Sequence, residues 1–549
     1  VICSMFAGCT ARSSGKYFGK TELPDDNVFR YISGSEPESL DPHISSGQPE
    51  ARIYSALYEG LVEYHPKTML PIPAIAKRWD ISPKVDEFIF HLRDNAKWSD
   101  GTPITAGDFV YSLRRGFAPE TLSRTSSLGY AIKYAEAYNA HQVFVKKNGE
   151  FLLAKDFAEA TVPNAEYQPF GPATDFNRFI RSDARLTMDE DPDARAEAAE
   201  KNPKLKAALS GAEFVPVAAE DIGVEAIDPF TLRITLKQSA PYFLGLLTHQ
   251  FFRLVPRHAV EKHGNEWTRP ENIVTCGPFK VKAHKPYDVL VVERDPQYWD
   301  VANVHLDGIE FLAVEDKSTQ MNLYKAGAVD AFLNHTVPSP WIDEIKQYTD
   351  EWMNLPEVAT AYYSMNLQKP PFNDIKVRQA FNLAVDRVAL SELRKVTVPL
   401  YDLTPSGVFP EYDAARNKVS EEMRLARKAT PEEWEKRNKL DPERARRLLT
   451  EAGFPVIKQG DDFVCPNFPT DKVSILFNTN ESNRQVAEFV QAQFKKHLGI
   501  TVPLKNMEFK TFLPVRNALE YDGFAQSLWS GDYMDPYTFL SLHYGRQND

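Results

Sequence analysis

Cysteine is scarce: the 549-residue chain holds four, Cys3, Cys9, Cys276 and Cys465. Four cysteines make no disulfide framework, and with no Cys-x-x-Cys pair neither a zinc knuckle nor a dithiol redox centre is indicated. A bridge between Cys276 and Cys465 stays open, because sequence does not show whether the two meet. Positive charge is also in deficit. Lys and Arg number 64 against 76 Asp and Glu, for a net charge of −12. That argues against nucleic acid as a main partner, since phosphate binding needs a basic face. Long apolar runs are missing as well: no stretch of eighteen occurs, so no membrane-spanning helix is expected.

Catalytic signatures are absent too. There is no Gly-x-Ser-x-Gly elbow, no His-Glu-x-x-His, no Gly-x-Gly-x-x-Gly and no phosphate loop; Gly15-Lys16-Tyr17 lacks the hydroxyl residue such a loop requires. His258 and His263 have no spacing that fits zinc. Adjacent acids such as Asp461-Asp462 and Glu421-Glu422 read as solvated surface rather than an acid–base pair. No catalytic residue, metal or cofactor is expected.

What is present is ordinary globular composition, 43% hydrophobic and 26% charged, in a chain too long for one core. Strand and helix signals alternate, which predicts an α/β protein. Phe88, Phe90 and Leu92 alternate on one face of a half-buried strand, and Asp100-Gly101 supplies a turn. Thr105 is placed to cap a helix with Asp108 in its first turn. Thr231 to Leu236 and Val289 to Val292 read as strands. Asp441-Pro442-Glu443 opens a helix whose stripe is Ala445, Leu448, Leu449 and Ala452, ended by Gly453; Thr430-Pro431 opens another. The charged stretch from Asp189 to Leu209 predicts a solvated helix pair in an insertion. At the start, Phe6-Ala7-Gly8-Cys9 has the form of a bacterial lipoprotein processing site, with Cys9 lipidated and Thr10 to Lys16 as a tether.

A series of longer motifs follows in fixed order. They are Gly34-Ser35-Glu36-Pro37-Glu38-Ser39-Leu40-Asp41-Pro42-His43, then Ala56-Leu57-Tyr58-Glu59-Gly60-Leu61, Ala76-Lys77-Arg78-Trp79 and Phe90-His91-Leu92-Arg93. Lys97-Trp98-Ser99-Asp100-Gly101-Thr102-Pro103 runs on into Ala106-Gly107-Asp108-Phe109-Val110-Tyr111-Ser112. Later come Asn272 to Phe279, Arg294-Asp295-Pro296-Gln297-Tyr298-Trp299, and Asn366 to Asp374 with Val377-Arg378-Gln379-Ala380 and Asp386-Arg387. Trp529-Ser530-Gly531-Asp532-Tyr533-Met534-Asp535-Pro536 closes the series. In this order they resemble the extracellular solute-binding proteins of family 5, of the oligopeptide-binding type. Most of these residues are read as structural: Trp98, Trp299 and Phe372 as core anchors, Gly101, Gly277 and Pro278 as turn residues.

The resemblance implies a periplasmic-binding-protein-like α/β fold (class II, cluster C), with two large lobes joined by a hinge plus an additional lobe. Residues 1–26 would be the lipoprotein remnant and tether. Lobe I would comprise 27–58 and 223–276, lobe II 59–222 with an insertion at about 131–215, and lobe III 277–549. In the family the chain returns to lobe I about a hundred residues after the Trp-Ser-Gly-Asp-Tyr region. Here it stops at Asp549, so lobe III and the return are expected to be incomplete.

The implied function is capture of peptides in a cleft between lobes for an ABC importer whose permease subunits lie in the membrane. The protein would be a monomer in the periplasm or at the cell surface, lipid-anchored. By the resemblance Asp532, within Trp529, Ser530, Gly531 and Tyr533, meets the peptide's ammonium, a charge that costs several kcal/mol if buried unpaired. Asp535 reads as a turn acid. Ser45-Ser46-Gly47-Gln48 corresponds to the stretch whose backbone pairs with the ligand, with Ser46 where the oligopeptide binders often have a Glu. Asn483 stands where a basic residue can meet a peptide carboxylate, Gln526 replaces an Arg, and Arg516 is retained if one residue is inserted. On these losses the expected ligands are longer peptides, or ones whose carboxylate stays in water. Affinity is expected to be micromolar or tighter, about −8 kcal/mol or better. Same-fold alternatives are a binder of dipeptides, nickel complexes, haem or sugars. A surface lipoprotein for signalling or adhesion is a reading of another class, as is a secreted hydrolase.

Overall fold

The computed structural model describes residues 17–19, 26–45, 47–157, 181–200, 202–331, 337, 339–355 and 357–542. The chain divides into two compact units: residues 1–335 with 532–534, and residues 336–531 with 535–549.

In the first unit, Glu87–Leu92 behaves as its alternation predicts. Phe88, Phe90 and Leu92 are buried while the residues between them are half-buried. It pairs antiparallel with Thr231–Thr235, setting Phe88 opposite Ile234 and Phe90 opposite Leu232, so that facing apolar side chains share one buried surface. Val224–Asp228 and Ala76–Ile81 complete this sheet. The Asp100-Gly101 turn closes over Trp98, which is fully buried; Gly101 has φ +90°, and Asp100 accepts the Thr102 N–H at 2.9 Å. Asp108 accepts the Thr105 backbone N–H at 2.8 Å, completing the capping box of helix Ala106–Phe117, an arrangement worth about 1 kcal/mol.

A second sheet runs Val28–Ile32, Gly308–Leu312, Val289–Arg294, Phe279–Lys285, its first pair parallel. This pairing revises the boundary expected at 277. The strands after 277 hydrogen-bond, through Gly308–Leu312, to the strand beginning at Val28, and the first unit runs to residue 335. The expected insertion forms a third sheet, in which Val143–Lys147 pairs with Glu150–Phe151, Thr187–Met188 and Glu213–Pro216. Helices Pro192–Glu200 and Pro203–Leu209 are the predicted pair. Only Ala199 and Leu205 of the two are buried, against Val145 and Met188, which leaves the charged residues of both helices free to face water. Before Val143, Ile132 bridges Leu236, while Ala137 and Tyr134 pack against Phe144 of this third sheet.

In the second unit Ala359–Met365, Gly523–Ser530, Ser474–Asn478 and Leu504–Met507 form a four-stranded mixed sheet. An aromatic cluster fills its core: Phe372 lies 4.7 Å from Phe524, and Phe381 4.7 Å from Phe494, between ring centroids. Helix Pro442–Glu451 starts on Asp441, which accepts the Arg444 N–H at 3.0 Å, and Gly453 follows with φ +90°. Cys276 and Cys465 are both free and buried, one in each unit, which closes the question of their bridge.

Gly277 is needed for close approach rather than for an unusual dihedral. A Cβ there would lie 2.6 Å from the Ala56 carbonyl oxygen and 2.6 Å from the Leu57 carbonyl carbon. Backbone cannot swing aside as a side chain can. Gly277→Ala is therefore expected to destabilise the protein by about 1–3 kcal/mol or more, read as a lower urea midpoint. An unchanged midpoint would show that the contact relaxes freely.

Candidate functional site

The acid motif near the end of the sequence is divided. Trp529 and Ser530 close strand Gly523–Ser530 in the second unit, opposite Thr360 and Ala359. The Trp529 indole N–H donates to Thr538 Oγ1 at 3.4 Å, and the Gly531 N–H to the Val358 carbonyl at 2.7 Å. These three residues hold the motif in place. Asp532, Tyr533 and Met534 gather instead with the first unit.

There, Tyr64, from the small hairpin Val62–Tyr64/Pro71–Pro73, donates its hydroxyl to the Asp532 backbone carbonyl at 3.0 Å. Tyr533 is buried and stacks on Tyr242, with 5.5 Å between centroids and 21° between planes. His249 brings Nε2 to 3.9 Å from Asp532 Oδ1. His249 Nδ1 accepts the Phe251 N–H at 3.2 Å, so the ring proton sits on Nε2, toward the carboxyl. Burial, and then the charge of Arg253, hold His249 at about 4, so it is neutral at pH 7.

Asp532 has 23% of its side chain exposed, and burial lifts its carboxyl to about 7. The acid is thus poised between its two forms near neutral pH. A cation settling against it would draw it to the carboxylate. Asp535, as expected, is a turn acid: it accepts the Tyr537 N–H at 2.8 Å.

The predicted ligand-pairing segment is partly engaged within the first unit. The Ser45 carbonyl accepts Gln250 Nε2 at 2.7 Å, and the Gly47 carbonyl accepts the Ala51 N–H at 3.1 Å as helix Gln48–Leu57 begins. Ser46 and the Gln48 side chain lie outside the described residues, as does Cys9. In the second unit the structure joins Asn483 to Gln526, whose Nε2 donates to Asn483 Oδ1 at 2.7 Å. Asn483 in turn donates to Asn478 Oδ1 at 2.8 Å. Arg516 turns to its neighbour Asn517, at 3.1 and 3.0 Å, and no hydrogen bond links it to that pair among the described residues.

Two of the other motifs are structural. Asp41 and His43 of the first are fully buried, with Arg115 Nη2 2.5 Å from Asp41 Oδ2 and Arg115 Nη1 2.9 Å from His43 Nδ1. Trp267 Nε1 also donates to Asp41, at 3.3 Å. Burial alone would raise the Asp41 carboxyl, but the Arg115 charge and hydrogen bond, with help from His43, hold it below the usual value. His43, desolvated beside that guanidinium, is held at about 3 and accepts as a neutral ring. Glu59 is buried and accepts from Tyr298 Oη at 2.8 Å and Trp299 Nε1 at 2.6 Å. Burial raises it to about 7 despite those two donors. Trp299 is therefore half-buried and hydrogen-bonded, with Arg93 stacked 3.6 Å above its ring, rather than a full core anchor like Trp98. His258 pairs with Asp100 at 2.8 Å.

Tyr64, Tyr242 and His249 were not singled out from sequence. Tyr64 and Asp532 are 468 positions apart, and no local pattern marks a residue whose partner is so distant.

Comparison with known proteins identifies the family and the fold. A family model described as bacterial extracellular solute-binding proteins, family 5 Middle, matches residues 71–549. The chain is 32% identical over 548 residues to the periplasmic oligopeptide-binding protein OppA of Salmonella typhimurium, covering 98% of this chain and 81% of that one. Among solved structures it is similar to a periplasmic oligopeptide-binding protein of Borrelia burgdorferi, with TM-score 0.69 and 30% identity over 95% of this chain and 83% of that one. It is likewise similar to Haemophilus influenzae OppA in complex with the peptide RPPGFSPFR, with TM-score 0.65 and 25% identity over 96% and 84%. The mixed α/β architecture, the ordered motifs and these likenesses agree: the chain belongs to the bacterial extracellular solute-binding proteins of family 5.

Proposed function

We propose that this protein captures peptides outside the cytoplasm and hands them to an ABC importer, with Asp532 receiving the peptide's free ammonium. One observation carries the reading. A largely buried carboxyl is held near a pKa of 7 beside a neutral histidine, its backbone fixed by Tyr64 and its neighbour Tyr533 by Tyr242. A buried acid of this kind weakens the folded state and gains most from a cation brought to it. The relatives' names supply the class of ligand: they bind oligopeptides, and one was solved with a nonapeptide bound. Binding alone fulfils this role, and no step in it needs a nucleophile or a general base. The permease partner, the monomeric state and the lipid anchor at Cys9 belong to the same proposal. Among the described residues no helix is long and apolar enough to cross a membrane.

Titration calorimetry with short peptides tests the reading. Ligand-stripped protein should bind them with micromolar or tighter affinity, and N-terminal acetylation should abolish binding. Because the free carboxyl sits at about 7 and would be ionised in the complex, binding at pH 7 should release roughly half a proton. Affinity should fall by up to about tenfold per pH unit below 7. Buffers of different ionisation enthalpy read the proton directly. Acetylated and free peptides binding equally, or no proton release, would remove Asp532 from the ammonium site.

A further inference from the structure

The second unit lacks a cation at both Asn483 and Gln526, yet a guanidinium reaches the same cluster from another element. We propose that Arg394, with Tyr363 and Gln526, forms a carboxylate-recognising site, which rests on the peptide reading above and gives the ligand's anionic group a partner. Arg394 ends helix Arg387–Arg394, and its Nη1 donates to Ser482 Oγ. Ser482 lies in the first turn of helix Glu481–Leu498, its N–H held by Asn480 Oδ1 at 2.9 Å. The next residue, Asn483, is the one that accepts from Gln526. Gln526 lies directly opposite Tyr363 in the antiparallel register of Ala359–Met365 and Gly523–Ser530. Arg394, Ser482, Asn483, Gln526 and Tyr363 are thus one connected cluster.

Its bonding is incomplete. The Tyr363 hydroxyl and Gln526 Oε1 are both buried without a hydrogen-bond partner among the described residues. Natural proteins seldom leave two such buried atoms on directly opposed strand residues without a use for them. Arg394 is partly withdrawn from water, and burial lowers its pKa, with only Tyr363 acting the other way. No carboxylate forms an ion pair with it among the described residues, whereas its neighbour Lys395 is paired with Asp343. The cluster therefore offers a guanidinium and a phenolic O–H to an anion, and an amide oxygen to an N–H. A carboxylate flanked by a peptide N–H satisfies all three, with charge-assisted bonds from Arg394. The carboxylate can come from the chain terminus or from an Asp or Glu side chain.

Two sets of peptides distinguish these sources in titration calorimetry of ligand-stripped protein. Tri-, tetra- and pentaalanine, as free acids and as C-terminal amides, read the terminus. Ala-Ala-Glu-Ala amide against Ala-Ala-Gln-Ala amide reads the side chain. The native protein should prefer the carboxylate member of at least one pair by about tenfold or more, as expected for a charge-assisted hydrogen bond. Arg394→Gln should remove that preference and Arg394→Lys restore part of it, with affinity for the uncharged members unchanged. Tyr363→Phe, which removes one donor and no charge, should reduce the preference several-fold and serves if Arg394→Gln fails to fold. Equal affinity within every pair, or a preference that survives both Arg394→Gln and Tyr363→Phe, overturns the site. The peptide reading then still stands if N-acetylation abolishes binding. Failure of the native protein to bind any of these free-amine peptides overturns both.

Discussion

An Asp532→Asn protein is expected to lose peptide affinity by about two to four orders of magnitude, and yet to resist unfolding better than the native chain when both are ligand-free above pH 7. The first effect is the cost of leaving an ammonium buried without its counter-charge, about 3–5 kcal/mol. The second follows from the carboxyl's position. Its folded value of about 7 lies above the ordinary 3.8, so between those pH values the folded state holds a proton that the unfolded state has lost. Stability therefore falls as pH rises from about 4 to about 7 and stays low beyond. The gap corresponds to at most roughly 4 kcal/mol, less whatever water reaches the exposed part of the side chain. Asn has the same shape and no charge, so its curve should lack that decline. Denaturation in urea at pH 5 and pH 8, on protein refolded from guanidinium to strip ligand, compares the two. Parallel stability profiles together with unchanged affinity would show that position 532 is a surface acid without a role in capture.

The opposite behaviour is expected of Asp41, which has the same chemistry in a different setting. Its side chain is fully enclosed, and Arg115, Trp267 and the His43 backbone all donate to it. Asp41→Asn keeps the volume but strands the Arg115 guanidinium, whose side chain is only 17% exposed. A loss of about 3–5 kcal/mol is expected, because removing one partner of a buried pair leaves the other uncompensated. Here the folded carboxyl lies below 3.8, so its contribution is complete above that value and disappears as pH falls through the lowered one. The native protein should lose this term only as pH falls below 3.8, and the Asn variant should have none to lose. Adding Arg115→Met to Asp41→Asn should recover at least about 1 kcal/mol, since a neutral pair is cheaper to bury than a lone cation. A single substitution costing less than about 1 kcal/mol, or a double variant weaker than the single, would mean that the pair is screened by water.

These two acids mark how much of the site could be read from residue order. Both stand in motifs that resemblance singled out, and nothing in either motif says which acid is a strut and which is a receptor. Burial with three donors makes Asp41 a strut; burial beside a neutral ring is what supports the receptor role proposed for Asp532. Likewise Asn483 and Gln526 were read by resemblance as standing where cations can be, while the Arg that bonds Asn483's neighbour Ser482 ends a helix about ninety residues earlier.

The elements themselves were fixed locally. Alternation at Phe88, Phe90 and Leu92, the capping residues Thr105 and Asp441, and the charged pair of helices near residue 200 each depend on neighbours within a few positions. Period-2 burial and orphan helix N–H groups act over that range. Strand partners were not fixed in this way. The parallel union of Val28–Ile32 with Gly308–Leu312 moved a boundary expected at 277, because an edge strand specifies that it needs a neighbour but not which one. The same reason governs the chemistry. A side chain's type is written in the sequence, but its charge state and its partners are set by what the folded chain packs around it. For Asp532 and Arg394 it is burial that shifts the charge equilibrium of each side chain.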